Sequence, residues 1–166
     1  WMYNDHRIAP EEHDRWFDSA LTEADAAEPR RLYRVILMDD APVGLANLYD
    51  VERRFGRASW AYYLGEASTR GKGVGAAVEW LMLETAFSVL QLRKLWCEVL
   101  VENEAVWKTH LGFGFREEAR FRAHVVKDGR PVDVLGLGVL AEEWAALRDA
   151  SRARLTDKGL ILGEPG

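Results

Sequence analysis

The stretch Arg70-Gly71-Lys72-Gly73-Val74-Gly75-Ala76 sets three glycines and two cations just ahead of an amphipathic run. Glycine lets backbone N–H groups approach a ligand closely, a helix start adds its dipole, and Arg70 and Lys72 add charge. Together these suit a phosphate or pyrophosphate. Two further residues could move protons. Glu98 lies in "LWCEVL", where two-residue alternation puts Leu95, Cys97 and Val99 on one face of a strand and Trp96, Glu98 and Leu100 on the other. A carboxylate in such apolar company has its pKa pushed up, toward the range of a general base. The plain alternative is a surface acid paired with an arginine. His110 can hold a proton near neutral pH. Its plain alternative is a surface histidine near the end of a short helix, favoured there by the dipole.

Three sites use such a loop. Gly71 to Ala76 matches G-x-G-x-x-A, but a dinucleotide loop follows its strand at once and opens a parallel sheet. Here Gly65 to Arg70 intervene after an antiparallel meander. A nucleoside-triphosphate loop needs G-x-x-x-x-G-K-[ST], and Lys72 precedes Gly73 and Gly75. The third reading is R-x-x-G-x-G.

The elements that must position these residues follow from periodicity and turn chemistry. Pro10-Glu11-Glu12 opens a helix in which His13, Trp16, Phe17, Ala20 and Leu21 recur at helical spacing. Strands are expected at Leu32–Met38, Val43–Tyr49 and Ala58–Leu64, with turns at Asp39–Pro42 and Arg53–Gly56. A helix from Val74 to Leu90 presents Val74, Ala77, Val78, Leu81, Met82, Thr85 and Val89 as its apolar stripe. A strand over Lys94–Val101 and a short helix over Glu104–Leu111, capped by Asn103, come next. A hairpin pairs Phe115–Val126 with Pro131–Leu140 through Lys127-Asp128-Gly129-Arg130. A charged helix spans Ala141–Leu155, and Thr156–Gly166 reads as a loose tail. This order predicts an α/β (α+β) class: a mixed, mostly antiparallel sheet flanked by helices, in one domain over residues 1–155.

Composition narrows the partners. The 166 residues are 48% apolar and 30% charged, and the formal charge is −5. That balance argues against nucleic acid or an anionic membrane, so any polyanion needs a local cation cluster. One cysteine, Cys97, permits no internal disulfide and fits a cytoplasmic location. His6, His13, His110 and His124 show no ligand-pair spacing, so no metal is expected. No run reaches membrane-spanning length.

R-x-x-G-x-G resembles the acetyl-coenzyme A loop of the GNAT family of N-acetyltransferases. The surrounding order is similar too. Trp60-Ala61-Tyr62-Tyr63-Leu64 stands where the family splays a strand to pair with acetyl-pantetheine, and Leu95–Leu100 follows the helix. "NEAVWKTHLGFGF" resembles N-x-x-A-x-x-[LF]-Y followed by G-F. It departs at Val106, at Thr109, and at His110, where tyrosine is commonest. "WMYNDHRIAPEEHDRWF", "LWCEVL", "NEAVWKTH" and "VKDGRPVDVLGLGVLAEEW" together look like the subgroup acting on nucleotide-linked amino sugars, the UDP-4-amino-4,6-dideoxy-N-acetyl-β-L-altrosamine N-acetyltransferases. Against that family, a first strand and part of the first helix are expected ahead of Trp1; the alternative is a sheet without that edge.

The resemblance implies acetyl-coenzyme A as cosubstrate and direct transfer to a small amine, with a UDP-linked amino sugar as the expected acceptor. A protein N-terminus, a polyamine, an antibiotic, or coenzyme binding without turnover are the alternatives. It implies coenzyme contacts at Tyr62, Tyr63, Leu64, Arg70, Gly71, Lys72, Gly73, Val74, Gly75, Ala76 and Asn103, with the backbone N–H of Tyr63 or Leu64 as oxyanion donor. Glu98 becomes the base, acting through a water, and His110 the acid near the sulfur. His6, His13 and Trp16, with Tyr62, are expected on the acceptor side, against ordinary core packing for Trp16 and Phe17. A homodimer is the expected assembly.

Overall fold

The computed structural model describes residues 8–163. Among these residues six strands form one sheet in the order β1-β2-β3-β4-β6-β5. They are β1 (Leu32–Met38), β2 (Ala41–Glu52), β3 (Arg57–Leu64), β4 (Lys94–Leu100), β5 (Arg116–Lys127) and β6 (Arg130–Leu140). All neighbours are antiparallel except β3 and β4. The mixed sheet read from the element order is therefore the sheet observed.

Turn chemistry sets the hairpins. Asp39 and Asp40 both take positive φ, 53° and 62°, and the tight β1–β2 turn needs only these two. Pro42 consequently lies inside β2, which starts at Ala41 and is longer than expected. Asp128 (φ 50°) and Gly129 (φ 72°) close the β5–β6 hairpin in the same way.

Among the described residues four α-helices flank the sheet: α1 (Pro10–Ala24), α2 (Val74–Glu84), α3 (Glu104–Gly112) and α4 (Ala141–Asp157). After Glu84 the helical path continues through Val89 as a wider π turn. The expected stripe on α2 is too narrow. Glu79, Trp80, Leu83 and Glu84 are buried as well, whereas Val89 is 49% exposed. The reason is that α2 is covered on two sides. One side meets the sheet. On the other, Trp80 packs edge-on to Trp144 of α4 and donates from Nε1 to the carbonyl of Arg148. A helix covered all round shows no clean amphipathic stripe.

Two other expectations change. No residue of α1 is buried, so Trp16 and Phe17 are not core residues; Trp16 stands edge-on to Tyr33 of β1, with ring centroids 5.4 Å apart. The tail is not loose at its start: α4 runs to Asp157, and Leu160 and Leu162 pack on the core. No described helix is long and apolar enough to cross a membrane.

Candidate active site

The parallel pair β3–β4 is short. Arg57, Ala58 and Ser59 pair with Lys94, Leu95 and Trp96, and there the pairing stops. Both strands run on, β3 to Leu64 and β4 to Leu100, so they part. The opening is a cavity of about 680 Å³ lined by Trp60 to Leu64, Cys97 to Leu100, and Tyr49, Asn103, Val106 and His110. β4 stays paired with β6 along its whole length, so its path past Trp96 follows β6 rather than β3.

The parted edge of β3 carries hydrogen-bonding groups. Gly65 donates its N–H to the carbonyl of Val43. With the register Leu45↔Tyr63 and Asn47↔Ala61, antiparallel alternation turns the main chain of Tyr63 and Ala61 toward β2. Tyr62 and Leu64 therefore turn their N–H groups to the gap. Of the two residues expected to donate to an oxyanion, Leu64 turns its N–H to the gap and Tyr63 turns its own to β2.

The glycine loop leads into α2 from beside this edge. Gly73 is the N-cap residue with φ 76°, and Val74, Gly75 and Ala76 present the first-turn N–H groups, which have no acceptor within the helix. Gly71 has φ 74° and open space where a Cβ would lie. At Gly75 a Cβ would come within 2.8 Å of the Tyr62 hydroxyl. Tyr62 thus joins the loop to the cavity wall. Its ring stacks on Trp60 at 5.6 Å, and burial, with the nearby Glu79 charge second, pushes its hydroxyl up to about 12. Arg70 and Lys72 are exposed beside the helix start. These residues fit a diphosphate attached to a thin chain that threads the gap.

Glu98 and His110 meet the cavity from different sides. Across the sheet, Ala58 pairs with Leu95 and Ser59 with Trp96. By alternation Trp60 and Cys97 share the face covered by α2, while Glu98 belongs to the other face with Tyr49. Burial pushes the Tyr49 hydroxyl up first; Cys97 and the Glu98 carboxylate beside it add to this.

His110, far from being a surface residue, is 3% exposed. Its ring lies 5.2 Å from both Trp60 and Phe115, and its Nδ1 is 2.8 Å from Oε1 of Glu79, which is 0% exposed. Sequence reasoning missed Glu79 because it falls within an apolar helix. A lone acid amid Val78, Trp80 and Leu81 was the available signal. Burial holds the Glu79 carboxyl well above the usual range, and His110 only partly offsets this.

The remaining predicted residues distribute unevenly. Asn103 lines the cavity at the N-cap of α3, but its side chain makes no capping bond. His13 and Trp16 sit on α1 and do not line the gap. His6 lies outside the described residues. A second hollow of about 630 Å³ lies between β1, α2 and residues 159–163 and contains neither Glu98 nor His110.

Comparison with known proteins supports the fold and the family. The family model described as "Acetyltransferase (GNAT) domain" matches residues 1–116. Among solved structures, a chimera of the spermidine N-acetyltransferase SpeG from Vibrio cholerae and hSSAT superposes with TM-score 0.78 at 19% identity, covering 87% of this chain and 84% of that one. The spermidine N-acetyltransferase of Vibrio cholerae in complex with CoA and spermine gives 0.77 at 19% identity, covering 86% and 82%. A dodecameric form of that enzyme gives 0.72 at 19% identity, covering 87% and 81%.

Proposed function

This chain belongs to the GNAT family of acetyl-coenzyme A-dependent N-acetyltransferases, and on that premise we propose that its acceptor is a small cationic amine of the polyamine kind. The observation that carries the choice is the make-up of the gap. Its described lining holds one carboxylate, Glu98, and no lysine or arginine. Such a wall attracts a protonated amine and offers a phosphate no cationic side chain. The spermine-bound structural relative supports the same class.

Each residue then has a task. The amides of Val74, Gly75 and Ala76 with Arg70 and Lys72 hold the diphosphate. Gly71 and Gly73 give the loop its left-handed turns. Tyr62 and Leu64 offer free main chain along the parted edge, with Leu64 N–H as oxyanion donor. Bound acetyl-coenzyme A supplies the activated acetyl thioester. Glu98 takes a proton from the arriving amine, directly or through water, and His110 returns one to the departing sulfur. Holding amine and thioester together in one narrow gap supplies much of the rate.

The second reading keeps the chemistry and changes the acceptor to a nucleotide-linked amino sugar. The resemblance of four sequence segments favours it, but its diphosphate would need cations that the described lining lacks. Incubation with acetyl-coenzyme A and an amine panel separates the two by product mass. Monoacetylated spermidine is the expected product. Acetylation of a UDP-linked amino sugar with none of spermidine would overturn the polyamine assignment. An oligomeric enzyme is in keeping with the dodecameric relative.

A further inference from the structure

We propose that Glu79 is the positioning residue that makes His110 a proton donor: the buried pair holds two protons between them, one shared by Glu79 Oε1 and His110 Nδ1, the other on His110 Nε2. The inference rests on the reading of His110 as the group that protonates the leaving sulfur. It comes from a difficulty in that reading. A neutral imidazole carrying only its Nε2 proton cannot give it up, because imidazolate would result. A charged imidazolium solves this, yet burial disfavours a lone charge. His110 is 3% exposed between the rings of Trp60 and Phe115.

Glu79 removes the conflict. Its Oε1 is 2.8 Å from Nδ1, which leaves Nε2 as the ring nitrogen for the cavity that His110 lines. Its Oε2 is buried with no hydrogen-bond partner among the described residues, so the acid gains little by standing alone as a carboxylate. A shared proton keeps the pair neutral as a unit. In transfer, the Nε2–H bond breaks as S–H forms. The shared proton settles on Nδ1. His110 ends neutral and Glu79 ends as the carboxylate. One proton lost by the acetylated nitrogen to Glu98 or solvent balances the proton gained by sulfur, and solvent recharges the pair.

The other titratable groups facing the pair stay neutral and do not compete. Tyr62 of β3 and Cys97 of β4 are both pushed up, chiefly by burial and further by the Glu79 charge. Glu98 lies on the opposite face of the sheet.

The test compares wild type with Glu79→Met and Glu79→Gln. Both substitutes approximate the volume of glutamate, and glutamine can still hydrogen-bond Nδ1 but cannot hold the proton. Expected are a fall in kcat of about 10²-fold in both, unchanged coenzyme affinity, and an alkaline limb of kcat displaced to lower pH. Combining Glu79→Met with His110→Ala should cost no more than His110→Ala alone. Wild-type turnover in Glu79→Gln, or an unmoved alkaline limb, would overturn the proposal by leaving Glu79 an orienting role only. Nitrogen-15 NMR of histidine-labelled protein near pH 7.5 gives an independent readout. Wild type should show Nε2 protonated and Nδ1 sharing a proton, with Nδ1 bare in Glu79→Met. A bare Nδ1 in wild type overturns the pairing. Full turnover in His110→Ala would instead remove the acid assignment, while the NMR result still reports on the pair.

Discussion

Glu98 and His110 border the same gap from opposite faces of one sheet. The parting of β3 from β4 after Ser59 and Trp96 makes this arrangement available. In the proposed roles, Glu98 as base on one face and His110 as acid on the other would leave the opening between them for the reacting carbon. On that reading the acceptor and the thiol would approach from different sides.

Glu98→Gln should lower kcat by about 10²- to 10⁴-fold and leave coenzyme binding intact, as measured by calorimetry on the same protein. A variant as active as wild type would remove Glu98 as the base.

Substitution at His110 has two effects that separate cleanly. His110→Ala should reduce kcat with coenzyme affinity nearly unchanged. It should also cost about 3 kcal/mol of stability, because the buried Glu79 loses its partner. Glu79 has a folded pKa raised above its unfolded value, so in this variant the stability deficit should be largest at neutral pH. It should shrink as pH falls and the carboxyl is protonated. Thermal denaturation at several pH values measures this; a deficit that does not change with pH would refute the account.

The loop is tested at Arg70 and Gly75. Arg70→Glu should weaken coenzyme binding with little effect on folding. At Gly75 any side chain meets the Tyr62 hydroxyl, so Gly75→Val should displace Tyr62 from Trp60 and reduce both coenzyme affinity and kcat. Unchanged affinity in both variants would place the diphosphate elsewhere.

A purely structural prediction concerns Glu84, 1% exposed, which receives hydrogen bonds from Trp144, Arg148 and Ser88. Burial pushes its carboxyl up, but Arg148, Trp144 and Ser88 outweigh this and hold it below the usual range. A lowered folded pKa means that the stabilisation is present above the unfolded carboxylate pKa and is lost as pH falls through the folded one. Arg148→Met should therefore cost about 2 kcal/mol at pH 7, and less in acid below about pH 4. Equal losses at pH 7 and pH 3.5, read from urea unfolding, would contradict the assignment.

Local chemistry determined a good deal of this protein from the chain alone. Glycine and aspartate pairs fixed the hairpin turns, two-residue alternation placed Glu98 opposite Leu95 and Cys97, and the cations and glycines from Arg70 to Gly75 marked the loop. These depend on neighbours a few residues apart, which a sequence displays. Tertiary structure alone decided the rest. It set where β3 leaves β4, which of Tyr63 and Leu64 keeps a free amide, and that α1 carries Trp16 away from the gap. It also joined Glu79 to His110 across 31 positions. Such partnerships arise when helices dock on a sheet and exclude water, so burial and contact, which no local pattern encodes, gave an acid in an apolar helix its histidine.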